Sequence, residues 1–164
     1  MEIVSDRRWP LAARLDEVWT ALARTDLYQR SWPWLRGFDA CALETGDTWR
    51  CEVQAPLPYR VRFTIHLVDV VAPTLVVAEV SGDIAGPARI DLAPAAGSDG
   101  TVTDLRLRSR LATARRSFAT LAAVAGPLST WAHHRLLDTG ARQFADGLIR
   151  SRDRYGADER AKGA

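Results

Sequence analysis

Lysine is almost absent from this chain: Lys162 is the only one among 22 basic residues, a bias that reads as GC-rich coding and not as a task. An excess of either charge is also missing. The 22 basic residues face 20 acidic ones for a net charge of +2, which argues against a dedicated nucleic-acid binder. Cysteine is scarce, with only Cys41 and Cys51, so there is no disulfide framework. Without a convergent histidine pair there is no good zinc set either. The two cysteines flank Thr45-Gly46-Asp47, where a hairpin would bring them near each other. A disulfide is geometrically conceivable, but two reduced core thiols are expected. No stretch approaches the ~20 apolar residues that cross a bilayer, and residues 1–8 lack the apolar run of a secretion signal, so a cytoplasmic location is expected. Gly-rich phosphate loops, metal-binding histidine pairs and Gly-x-Ser-x-Gly elbows are absent, which counts against nucleotide and hydrolase chemistry.

What remains is an ordinary globular composition, 47% hydrophobic and 26% charged over 164 residues, enough for one core. A single domain is expected over residues 1–150, followed by a charged, small-residue tail, 151–164, expected to be frayed or disordered. Residues 3–12 read as an opening strand, with Trp9 and Leu11 on one face and Pro10 tolerable only at an edge or bulge. From Leu15 the period changes: Leu15, Val18, Trp19 and Leu22 mark a short amphipathic helix with Asp16 and Glu17 in its first turn. A further helical turn over residues 26–30 precedes Ser31-Trp32-Pro33-Trp34, where the proline ends it.

Six consecutive strands follow. Residues 40–44 and 48–54 flank the turn at Gly46-Asp47, and Pro56-Leu57-Pro58 then breaks the sheet. Tyr59, Val61, Phe63, Ile65 and Leu67 alternate with polar residues over one long strand, the cleanest period of two in the chain. Strands around Val76–Val80, Ala88–Leu92 and residues 101–111 complete the series, the last alternating Leu105, Leu107, Ser109 and Leu111 with outward Arg106, Arg108 and Arg110. Residues 113–124 suit a helix, interrupted by Gly126-Pro127 before a long helix over residues 128–150. Thr130, His133, Leu137, Gly140, Ala141, Phe144 and Leu148 fall along one stripe of that helix.

Strands joined by short turns pair antiparallel, and a sheet wet on one face buries the other, here against the final helix. The implied class is α+β, in the order β-α-α-β6-α, with a curved antiparallel sheet wrapped around a long C-terminal helix. This order resembles the helix-grip fold of the START, birch-pollen-allergen and polyketide cyclase/dehydrase superfamily, often called SRPBCC. The resemblance is carried by Ala13-Arg14-Leu15-Asp16-Glu17-Val18-Trp19, Trp32-Pro33-Trp34-Leu35, Gly46-Asp47-Thr48-Trp49, Gly82-Asp83-Ile84-Ala85-Gly86 and Trp131-Ala132-His133. It implies a site for lipids, sterols, polyketides or other apolar molecules between sheet and helix, with chemistry in only some members.

On this reading the site residues are Trp34, Trp49, Val53, Tyr59, Phe63, Ile65, Leu107, Ser109, His133, Leu137 and Phe144. The aromatic residues offer flat surfaces and, for Trp and Tyr, hydrogen-bond donors, although core packing explains each of them alone. Ser109 is a polar break in an inward apolar series and suits either a ligand hydrogen bond or a solvent-facing strand end. His133 faces the enclosed volume and would orient a ligand hydroxyl or carbonyl, or act as general acid or base in a cyclase or dehydrase. Its structural alternative is a histidine bonded to a backbone group. His134, about 100° around the helix, is expected to be peripheral. Gly140 and Gly147 each cost about 1 kcal/mol relative to alanine in a helix, and leave room for the sheet or for a ligand. The leading expectation is binding of a small hydrophobic or amphipathic molecule, with no cofactor, no metal and no nucleic acid. A third reading is an interaction module that uses Arg106, Arg108, Arg110, Arg115 and Arg116 to meet anionic surfaces, against which stands an ordinary solvated strand face. Oligomeric state is left open.

Overall fold

The computed structural model describes residues 2–54, 60–113 and 126–162, with side chains in the last stretch at Trp131 and at 133–150. Its elements run β1 (Glu2–Leu11), α1 (Leu15–Ala23), a 3-10 turn (Thr25–Leu27), α2 (Tyr28–Ser31), β2 (Leu35–Asp39), β3 (Thr48–Gln54), β4 (Arg60–Val71), β5 (Leu75–Gly82), β6 (Ile84–Pro94), β7 (Thr103–Thr113) and α3 (Gly126–Lys162). The seven strands form one antiparallel sheet in the order β1-β7-β6-β5-β4-β3-β2, so β1 closes back beside the last strand. This is the expected helix-grip arrangement. The helical segment expected over residues 113–124 lies outside the described residues apart from Thr113, which ends β7. α3 begins at Gly126, with Pro127 in the first turn where its missing N–H costs nothing, and continues past Arg150 to Lys162.

The local signals account for most boundaries. The Glu17 carboxylate accepts the Arg14 backbone N–H at 2.8 Å, satisfying one of the free donors at the start of α1. α2 stops at Trp32, whose backbone is non-helical ahead of Pro33. Pro10 is tolerated because β1 is an edge strand. Within β6, soon after the corner with β5, Gly86 has φ +139° and lies so close to the Arg110 carbonyl that a Cβ would overlap it. Beside it, buried Asp83 accepts the Arg62 N–H at 2.8 Å.

One strand lies elsewhere than expected. The mate of β3 is Leu35–Asp39, not residues 40–44, because the latter stretch is occupied in a turn. In that turn the Asp47 carboxylate takes the Ala42 N–H at 2.7 Å, and Gly46 N–H bonds Leu67 O at 2.8 Å, which ties the turn to β4. β2 also carries a register shift between Leu35 and Gly37. As a result Cys41 is exposed and only Cys51 is a core thiol; both are free.

Residue parity along each strand defines an inner face. Ser5, Arg7, Trp9 and Leu11 on β1 pair with Ser109, Leu107, Leu105 and Thr103 on β7. Across β6, β5, β4 and β3 the same face carries Ile90, Val76, Leu67 and Trp49, among others. Two apolar clusters pack beneath it. One joins Tyr28, Leu35, Trp49, Cys51, Val53, Leu67, Val76 and Ala78, with Leu136 of α3 packed against it. The other joins Leu11, Ala13, Val18, Leu22, Leu92 and Leu148. On the outer face the strand arginines meet carboxylates: Arg106 with Asp6 at 2.6 Å, Arg108 with Asp91 at 2.6 Å, and Arg110 with Glu2 at 3.4 Å. Their charge is answered within the sheet, as on an ordinary solvated face. Arg115 and Arg116 lie outside the described residues.

Candidate functional site

The sequence-derived site residues divide into two groups. Trp49 and Val53 are buried in the first core cluster, and Phe63 and Ile65 pack against it. The Trp49 indole donates to Ala42 O at 2.8 Å, and its ring lies among Tyr28 and Phe38, so its donor and its faces are already engaged. Trp34 is part of a clamp on α3: it stacks on Trp32 with centroids 5.7 Å apart and donates to Gln143 Oε1 at 3.2 Å. The Trp32 indole donates to Gly140 O at 3.0 Å, and a Cβ on Gly140 would meet Trp34 at 3.2 Å. The glycine in the helix therefore admits two tryptophans. Phe144 sits 6.5 Å from Trp32 and packs against the second cluster. Tyr59 lies outside the described residues.

The other group, Leu107, Ser109, His133 and Leu137, is half-buried and belongs to neither core cluster. Here the inner face near β1 looks toward the N-terminal half of α3. Ser109 pairs across the ladder with Ser5, and Leu107 with Arg7. The Ser5 hydroxyl and the Nε2 atoms of His133 and His134 are shielded from solvent with no hydrogen-bond partner. Burial, the neighbouring His134 and then the Arg7 guanidinium push the His133 imidazole from an ordinary 6.5 down to about 4, so it is neutral near pH 7. A groove of about 550 Å³ opens beside this cluster between β1 and α3, lined by Arg7, Trp9, Trp131, His134, Arg135, Asp138 and Arg142. The Trp9 indole donates to the Asp138 carboxylate across it at 3.2 Å. A second groove, about 470 Å³, crosses β2–β4 and includes Phe63.

None of the residues lining the first groove was among the sequence-derived site residues, and His134, expected at the periphery, lines it. The missed signal was the phase of β1: a period of two that turns Trp9 and Leu11 inward turns Ser5 and Arg7 inward too. Among the described residues no group of three His, Cys, Asp or Glu side chains is gathered to hold a metal, and no helix is long and apolar enough to cross a membrane.

No family model and no curated protein matches the chain. Solved structures do. The Zhui aromatase/cyclase from Streptomyces sp. R1128 superposes with a TM-score of 0.74 at 14% identity, covering 92% of this chain and 95% of that one. A START superfamily protein from Mycobacterium smegmatis superposes at 0.69 and 12% identity, covering 90% and 97%. A norcoclaurine synthase point mutant from Thalictrum flavum, in complex with a transition-state analogue, superposes at 0.60 and 12% identity, covering 93% and 97%. Likeness of this extent over nearly the whole of each chain, with the strand order and terminal helix described above, gives the protein the START-like helix-grip fold.

Proposed function

We propose that the protein binds a small apolar or amphipathic molecule between the inner face of its sheet, at the β1–β7 end, and the N-terminal half of α3. The observation that carries this reading is unfinished packing. Leu107 and Leu137 stay half-buried outside both core clusters, beside three shielded polar atoms without partners, on Ser5, His133 and His134. Each unpaired buried polar atom costs about 1–3 kcal/mol, which a ligand hydroxyl or carbonyl would relieve. An apolar body burying roughly 300 Å² of its own surface would gain roughly 7 kcal/mol before the costs of association. A fold neighbour in complex with a transition-state analogue supports the idea that this architecture encloses small molecules.

The second reading is a cyclase or dehydrase with His133 as general acid or base, favoured by the inward, unpartnered Nε2 atom. With its imidazole held near 4, His133 is better suited to hydrogen-bonding a ligand than to donating a proton at neutral pH. The two readings part on His133→Ala: binding predicts a modest change in affinity, catalysis a fall in turnover of at least ~100-fold. Native mass spectrometry of protein from its own host is expected to show an apolar adduct that is lost on Leu107→Trp, which fills the space. An adduct-free wild-type protein that also takes up no dodecanol overturns the binding reading.

A further inference from the structure

The arginines of this chain are not all alike. Apart from Arg36, those on the outer sheet face have carboxylate partners, among them Arg8 with Asp104, Arg89 with Asp91 and Arg62 with Glu52. The guanidinium groups of Arg7, Arg135 and Arg142 make no ion pair or hydrogen bond with any described residue, and all three line the 550 Å³ groove between β1 and α3. Asp138 is the one acid among the described lining residues, and its Oδ1 already accepts the Trp9 indole N–H at 3.2 Å. With three guanidinium groups against the single Asp138 carboxylate, the described lining of the groove holds an excess of positive charge.

The groove is also amphipathic. Trp9 and Trp131 give it apolar walls, and Arg135 is held over the Trp131 ring at 5.5 Å, which leaves its guanidinium at the rim. Arg7 lies deeper, on the inner face of β1, opposite Leu107 and two residues from Ser5. An aliphatic chain seated along Leu107 would therefore emerge beside the Arg7 fork. Guanidinium and carboxylate match in planarity and spacing, and such pairs form two parallel hydrogen bonds.

Resting on the ligand-binding reading above, we infer that this groove is the polar mouth of the site and selects an amphipathic ligand ending in a carboxylate, which Arg7 binds. Arg135 and Arg142 attract the anion at the rim, and His134, in its Nε2–H tautomer, supplies a further donor. One carboxylate suits the groove better than a dianion, because Asp138 stands within it.

The test compares dodecanoate with dodecanol, which share a chain and differ in head, by calorimetric titration of the full chain. Wild-type protein is expected to bind dodecanoate about tenfold or more tighter than dodecanol, a preference that narrows to within about twofold in Arg7→Gln. Arg106→Gln, on the outer face and paired with Asp6, is expected to keep it. The dodecanoate affinity should also fall with added salt while that for dodecanol does not. Equal affinities in the wild type, or a preference that survives in Arg7→Gln, overturn the assignment of the carboxylate and leave apolar binding standing. Failure of both ligands to bind removes the binding reading itself, and this inference with it. The wild-type comparison decides the matter even if the Arg7 variant does not fold.

Discussion

His133 makes the folded state sensitive to mild acid, and the size of the effect follows from its surroundings. Its imidazole drops from 6.5 to about 4, chiefly through burial and then through the charges of His134 and Arg7. Below pH ~6.5 the unfolded chain takes up a proton at this position that the folded chain refuses until about pH 4, so stability falls across that window. At 1.36 kcal/mol per pH unit the full loss is about 3 kcal/mol, of which about 2 kcal/mol is gone between pH 7 and 5. The carboxylates act lower. Hydrogen bonds from Arg106, Arg24, Arg62 and Arg89 hold Asp6, Asp26, Glu52 and Asp91 below their ordinary values, so the stability they add is present above the usual carboxylate range and lost only as pH falls through it. Urea unfolding followed by tryptophan fluorescence at pH 7, 6 and 5, on wild type and His133→Gln, isolates the histidine. The wild-type free energy is expected to drop by about 2 kcal/mol over this interval, while the variant changes far less. Parallel pH profiles for the two proteins would refute the argument that His133 is buried neutral.

Two further outcomes follow from packing. Gly140→Val, which drives a side chain into the Trp34 and Trp32 rings, is expected to cost about 1–3 kcal/mol in urea unfolding. Gly147→Ala, with nothing within 4 Å of the new methyl, is expected to stabilise the same helix by up to about 1 kcal/mol. A reversed order would place the tryptophan clamp wrongly. The two cysteines should differ in reaction with a disulfide reagent at pH 8: exposed Cys41 reacts in the folded protein, whereas Cys51, buried and with its thiol pushed up to about 12, reacts only in denaturant. Rapid modification of both without denaturant would contradict the position of Cys51 in the core.

The sheet was legible because period-two alternation survives in β3 and β4 almost without a break, and because the turns between strands are too short for anything but antiparallel pairing. The choice of partner for β3 was not, since neither residues 40–44 nor Leu35–Asp39 alternates cleanly, the latter carrying a register shift between Leu35 and Gly37. What decides between them is tertiary: the carboxylate of Asp47 closes a turn on Ala42, and Gly46 is held by Leu67 of a strand far along the chain. The site was half legible for a related reason. Helical phase turns His133 to one stripe of α3, but it does not show that α3 lies along the β1 edge, where a groove receives the adjacent stripe through Trp131, His134 and Asp138. Hydropathy hid Arg7 as well, because a charged residue is read as outward unless strand phase is given priority. On β1 the phase places Arg7 with Trp9 and Leu11, and its lack of a carboxylate partner among the described residues gives that inward position chemical meaning. A charge that is turned inward against its hydropathy and left unpaired marks a place where folding alone has not completed the interaction. For that reason the ligand question narrows to the mouth of this groove and not to the aromatic core, where the Trp34 and Trp49 donors are already bonded within the chain.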